Sequence, residues 1–285
     1  MKDDILMSVR NLRISFNVPS GIVDAVRGIS FDLGRERLGI VGESGSGKSQ
    51  ACRALLKLMA PNARVTADKI DFDGFDILNA NKKAMRLIRG KRISMIMQDP
   101  LYSLNPLIKV GKQVAEGCRT HENISAAEAK RRALDMLETV KIRDAGKVYN
   151  MYPHQISGGM GQRIMIAMML ILNPEVLIAD EPTSALDVTV QLQILALIDD
   201  MVSQRGMGLI LISHDLSLVS TFCDRILVMY GGQILEKLDA KNLSAAKHPY
   251  TKGLIGCAPD IDKKTEILPT LVRDDCWLDE IGNHQ

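Results

Sequence analysis

Residues Gly42-Glu43-Ser44-Gly45-Ser46-Gly47-Lys48-Ser49 spell GxxxxGK[ST]. The apolar run Leu38-Gly39-Ile40-Val41 precedes them, and a helical stretch from Lys48 to Met59 follows. No other segment restricts the fold as tightly. A short buried strand has to deliver the chain into a glycine turn, and a helix has to leave it. Consecutive N–H groups in such a turn converge on one phosphate, and the helix N-terminus adds its positive dipole end. Lys48 is placed for the β- and γ-phosphates of a nucleotide, and Ser49 for Mg²⁺. Gln50 is counted with the same binding loop. A chance match of a Gly/Ser-rich loop is the bland alternative, and the strand-loop-helix context weighs against it. Taken alone, the pattern specifies a P-loop NTPase of no particular kind.

A second chemical signal lies far downstream. Val176-Leu177-Ile178-Ala179 is an apolar strand that ends in Asp180-Glu181. Neighbouring strand residues face opposite ways unless the chain turns at the strand's end. With that turn, Asp180 can hold Mg²⁺ directly or through water, and Glu181 can polarise an attacking water as general base. A solvated acid pair at a strand end is common, so this signal acquires meaning from the P-loop beside it.

The rest of the chain supplies an α/β context. Residues 7–16 and 22–33 alternate loosely and read as an N-terminal antiparallel layer. Core strands are expected at 93–97, 209–212 and 226–229, and an amphipathic stretch at 188–203. Helical periodicity dominates 109–172, and Ser125 with Glu128 resembles a capping box. Strands interleaved with helices imply a mostly parallel sheet. Past about residue 236 the pattern weakens into an appendix containing Pro249, Pro259 and Pro269.

Composition narrows the classes. The net charge is +2, which makes no electrostatic case for nucleic acid. The five cysteines show no CxxC spacing, so a structural zinc site is not expected and a reducing compartment is. No apolar run approaches the ~18 residues of a membrane span. The acidic start, Met1-Lys2-Asp3-Asp4, is unlike a signal peptide. Any membrane role is therefore expected to be peripheral and partner-mediated.

Ile156-Ser157-Gly158-Gly159-Met160-Gly161-Gln162 resembles the signature of ATP-binding-cassette (ABC) ATPases, usually LSGGQ. Its Ser hydroxyl and glycine N–H groups at a helix start form a second anion site. In that family the signature of one subunit closes over the γ-phosphate held by the other. Further likenesses occur in order. Gln98 resembles the Q-loop glutamine that senses Mg²⁺ and the γ-phosphate. Ser184-Ala185-Leu186-Asp187 resembles the D-loop. His214 resembles the switch histidine, and Phe16 stands where the family stacks an aromatic ring on adenine. Individually each has a plain reading: surface Gln, structural His, core Phe.

The resemblance covers about residues 7 to 258 and implies a RecA-like P-loop core, an N-terminal antiparallel β layer and an inserted helical subdomain. It assigns an ATPase domain to 1–238, with its core at about 1–97 and 173–238 and its helical subdomain at about 98–172. Residues 239–285 form a C-terminal extension. Three stretches narrow it to oligopeptide and dipeptide importers: Gln98 to Pro106, Tyr152 to Met160, and His248-Pro249-Tyr250-Thr251-Lys252-Gly253-Leu254. Importers of nickel, opines and other small solutes belong to the same group. Two departures stand out. Gly161 replaces a frequent Arg, which is expected to alter a surface contact. Only Cys276 lies beyond Cys257, so the tail lacks thiolates for the iron–sulfur cluster of some members, and none is expected.

The resemblance implies a second homologous ATPase subunit, in a heterodimer rather than a homodimer. It implies two membrane permeases, an extracytoplasmic solute-binding protein and a place on the cytoplasmic face of the inner membrane. Three rivals remain. A soluble ABC ATPase usually carries two cassettes or a coiled-coil insertion. A P-loop kinase or GTPase leaves residues 156–162 unexplained. A subunit that binds nucleotide without turnover leaves Glu181 and His214 unexplained.

Overall fold

The computed structural model describes residues 5–98, 103–184, 186–257 and 277. The chain forms two compact units, Met1–Ala80 with Ile210–Gln285, and Asn81–Leu209. The second is thus an insertion within the first.

The first unit opens with β1 (Met7–Val18) and β2 (Gly21–Leu33), paired antiparallel from Met7↔Leu33 to Val18↔Gly21. The looseness of the sequence alternation has a cause here. Buried positions fall on Met7 and Val9 and then switch parity to Leu12 and Ile14. The register shifts between Val9 and Leu12, where Asn11 takes a left-handed φ of 49°. A β-bulge of this kind inserts one residue and moves the later side chains to the other parity. Three short strands complete the layer: β4 (Ala63–Thr66), β5 (Lys69–Phe72) and β6 (Phe75–Asp76).

The same unit contains β3 (Arg37–Val41) and α1 (Lys48–Leu55). From the last two residues of the insertion onward come β9 (Gly208–Ser213), α8 (Leu216–Phe222), β10 (Arg225–Tyr230), β11 (Gln233–Asp239) and α9 (Pro249–Cys257). β10 lies parallel to β3, from Arg225↔Leu38 to Val228↔Val41, and antiparallel to β11. Leu38, Gly39, Ile40 and Val41 are all buried. A parallel strand covered on both faces reads as such a continuous apolar run. Arg225 ties three segments together, donating to both Glu36 carboxylate oxygens at 2.7 Å and to the Asp32 carbonyl at 2.8 Å.

The second unit contains α2 (Lys82–Ile88), β7 (Ile93–Ile96), α3 (Val110–His121), α4 (Ala126–Thr139) and α5 (Ala145–Tyr149). It continues with α6 (Gly158–Leu170), β8 (Val176–Asp180) and α7 (Val188–Arg205). β7 and β8 pair in parallel, Ile93↔Val176 to Ile96↔Ala179. Arg92 and Glu175 clamp their entrances with contacts of 2.5 and 3.0 Å. Ser125 caps α4 by accepting the Glu128 N–H at 3.1 Å. The Glu128 carboxylate turns to Arg131 instead of closing a capping box.

Two sequence readings need correction. The helix after the P-loop ends at Leu55, not Met59. The region past 236 keeps regular structure, with β11 running to Asp239 and Pro249 starting α9. Pro at the first helical position costs nothing, because that N–H has no intrahelical acceptor. Pro259 and Pro269 lie outside the described residues.

Candidate functional site

The P-loop lies wholly in the first unit, leaving β3 at Val41 and entering α1 at Lys48. Gly42 and Gly47 have φ of 152° and 96°. A Cβ on Gly42 would sit 2.0 Å from the Met229 carbonyl oxygen, and one on Gly47 2.3 Å from that of Ala25. Both glycines are therefore demanded by backbone approach as well as by their own dihedrals. The loop is pressed against β10 and β2, which fixes its concave side. The Gly232 N–H donates to the Ser46 carbonyl at 3.2 Å and adds a second brace.

Lys48 is buried at 4% exposure. Its ammonium donates to the carbonyls of Gly42 and Glu43 at 2.7 Å each, and to Ser46 Oγ at 3.3 Å. A buried cation held by loop carbonyls at the mouth of a helix is a centre of positive potential for an oxyanion. Ser44 and Gly45 are exposed at the loop's crest, while Ser49 and Gln50 lie half-buried in the first turn of α1.

Phe16 and His214 belong to the same unit. Phe16 is half-buried on β1 and pairs with Val23 and Ala63. His214 is exposed just after β9. The next residue, Asp215, caps α8 by accepting the Leu218 N–H at 3.0 Å. This cap fixes the chain direction immediately beyond His214.

The acid pair and the signature belong to the second unit. Asp180 closes β8 and is 2% exposed. Glu181 has a left-handed φ of 45°. That conformation is costly for a residue with a side chain, and it ends the strand alternation directly after Asp180. Gln98 Nε2 donates to Glu181 Oε2 at 3.1 Å. Two site residues 83 positions apart are thereby brought together. The segment after Glu181 is braced by Gln162, whose amide donates to the Pro182 carbonyl.

Ser157 is the N-cap of α6 and accepts the Met160 N–H at 3.4 Å. Ser157 and Gly158 are exposed, and Gly159 is half-buried. A Cβ on Gly158 would meet nothing within 4 Å. Nothing within the described residues demands glycine there, in contrast to Gly42 and Gly47. Gly161 is buried inside α6, so its expected role in a surface contact is corrected. Of the D-loop, Asp187 caps α7 through the Val190 N–H at 3.0 Å, and Ala185 lies outside the described residues. So do Asp99 to Tyr102 and the thiol of Cys276.

One residue at the loop was absent from the sequence-based site. The Tyr250 hydroxyl accepts the Glu43 N–H at 3.0 Å. Its stretch, 248–254, was visible only as a likeness, with no chemistry attached to it.

A family model described as ABC transporter matches residues 26–184. The chain belongs to the ABC transporter family. It is 46% identical over 270 residues to the oligopeptide transport ATP-binding protein OppD of Escherichia coli K12, covering 94% of this chain and 80% of that one. It is 47% identical to the dipeptide transport ATP-binding protein DppD of Bacillus subtilis 168, covering 90% and 78%. The dimeric structure of MJ0796, a bacterial ABC transporter cassette, superposes with a TM-score of 0.74 at 25% identity. That superposition covers 82% of this chain and 99% of the cassette. The ABC ATPase fold expected from the sequence, and the peptide-importer likeness, are borne out. This ABC chain is an ATPase, and no helix among its described residues is long and apolar enough to cross a membrane.

Proposed function

We propose that this chain is the ATP-hydrolysing subunit that energises import of a small solute, most directly peptides. Support for the peptide assignment comes from relatives named for oligopeptide and dipeptide transport, similar over nine-tenths of the chain. In this reading residues 42–50 receive the nucleotide's phosphates, and Phe16 lies under adenine. Lys48 exchanges its carbonyl contacts for phosphate oxygens. Ser49, Asp180 and Gln98 would hold Mg²⁺, a hydroxyl, a carboxylate and an amide oxygen being hard oxygen ligands of the kind this ion favours. Bound Mg²⁺ supplies charge neutralisation on the phosphates.

Glu181 takes a proton from the attacking water, Gln98 orients its carboxylate, and His214 supports the γ-phosphate. Ser157, Gly158 and Gly159 serve a second cassette's nucleotide, so turnover requires a dimer. We assign a heterodimer with a related ATPase, bound beneath two permeases on the cytoplasmic face of the inner membrane. A solute-binding protein outside selects the cargo.

The observation that carries hydrolysis, as opposed to binding alone, is the Glu181 carboxylate turned out of its strand with Gln98 upon it. In the reconstituted complex, Glu181→Gln should lower phosphate release at least ~10²-fold while ATP still binds. Unchanged release would remove Glu181 as the base. Uptake of labelled peptides into the same proteoliposomes tests the cargo, and nickel or opine uptake in their place would move the chain to the sister group.

A further inference from the structure

The stretch His248-Pro249-Tyr250-Thr251 has no part in the chemistry above, yet it reaches the P-loop. Glu236 on β11 accepts the N–H groups of Lys247 at 2.6 Å and His248 at 3.3 Å. His248 Nδ1 then accepts the Tyr250 N–H at 3.1 Å. These contacts pin the start of α9 within the first unit. Tyr250 is fully buried, with its ring centroid 4.7 Å from that of Tyr230 and 5.4 Å from that of Trp277. Tyr230 ends β10, directly before the Gly231-Gly232 turn that braces Ser46. From this aromatic packing the Tyr250 hydroxyl meets the Glu43 N–H at 3.0 Å. On its other side, the Glu43 carbonyl accepts Lys48 Nζ at 2.7 Å and the Ser46 N–H at 3.2 Å.

We propose that Tyr250 is a positioning residue of the ATP site, through which α9 sets the shape of the P-loop and hence its affinity for nucleotide. The proposal rests on the ATP-binding reading above. A loop with left-handed glycines at 42, 45 and 47 has many conformations open to it. The hydroxyl removes some of them by giving the Glu43 N–H a partner fixed on a buried ring. Without that partner, the amide has to find another acceptor by rotating the loop. Apparent affinity then falls by the fraction of molecules whose loop stays competent.

The test is Tyr250→Phe in the full chain, which keeps the ring and deletes the acceptor. Titrated with a fluorescent ATP analogue, this variant should bind about three- to tenfold more weakly than the parent. In the assembled complex the KM for ATP should rise more than kcat falls. Thr251→Val is the control. Its hydroxyl is buried on the same helix with no hydrogen-bond partner among the described residues, and its ATP affinity should stay at the parent value. Equal affinity in Tyr250→Phe and the parent would overturn the proposal. So would equal losses in both variants, which would mean that α9 acts only through general stability. Trp277, the single tryptophan, gives a readout in the unmutated chain. Its emission should change on saturation with ATP, and a constant emission would overturn the link between α9 and the loop. A parent chain that fails to bind ATP would overturn the ATP reading itself.

Discussion

At the scale of single residues, the glycines divide by what requires them. Gly42 and Gly47 are fixed by carbonyls 2.0 and 2.3 Å from any added Cβ, so the fold alone demands them. Gly158 has open space on that side, so any demand for glycine comes from a molecule that approaches it. This separates stability from function. Gly158→Ala should leave the melting temperature of the isolated chain unchanged or slightly raised, because Ala favours a helix start over Gly. The same change should cut ATP hydrolysis by the assembled complex at least ~10-fold, since a methyl group blocks the approach of the facing nucleotide. Parallel melting and phosphate-release measurements would check both halves. Full activity would mean that residues 157–159 meet no nucleotide. The glycine pattern was legible in the sequence, but the reason for each glycine was not. Likewise Asp180 and Glu181 were legible as a strand-end pair. The Gln98–Glu181 contact was not, because it depends on how β7 and β8 align.

At the scale of elements, buried strands and capped helices were the readable parts. Continuous apolar runs gave β3, β7, β8, β9 and β10, because a strand covered on both faces leaves no ambiguity of pattern. The strands β4 to β6 are too short for alternation to register, at 4, 4 and 2 residues. The bulge near Asn11 also hid the single face of β1. The junction of β2, β3 and β10 rests on Arg225 and Glu36, a pair that sequence spacing of 189 residues could not reveal. Burial pushes the Glu36 carboxyl up, but the Arg225 guanidinium and the Gly34 N–H outweigh it and hold it below the usual carboxylate range. A depressed folded pKa stabilises the protein above the unfolded value of about 4.3. That contribution is lost as pH falls through the folded value. Glu36→Gln should therefore cost about 1 kcal/mol at neutral pH, discounted for the partial exposure of Arg225. Its urea midpoint should also fall less steeply than the parent's below about pH 4.5. Identical pH profiles would mean that the pair contributes nothing to the junction.

At the scale of the whole molecule, one chain presents two helix starts that we propose as anion sites, at Lys48 in the first unit and at Gly158 in the second. Their supports differ in kind. The Lys48 loop is braced by β2, β10 and Tyr250, and its lysine is buried against loop carbonyls. The Gly158 end is exposed and has Ser157 as its cap. A loop already held in shape can bind a ligand by itself, whereas an exposed helix start gains most when a partner shields it from water. Nucleotide binding should thus be a property of the single chain, and rapid turnover a property of the assembly. The purified chain should bind ATP yet release phosphate at least ~10-fold more slowly than the complex with its partner ATPase and permeases. Adding the partner ATPase alone should recover part of the rate if the facing signature is the missing component. Restoration by a second copy of this chain would replace the heterodimer with a homodimer. A full rate in the isolated monomer, measured at concentrations where sedimentation shows no association, would mean that residues 156–162 play no part in hydrolysis.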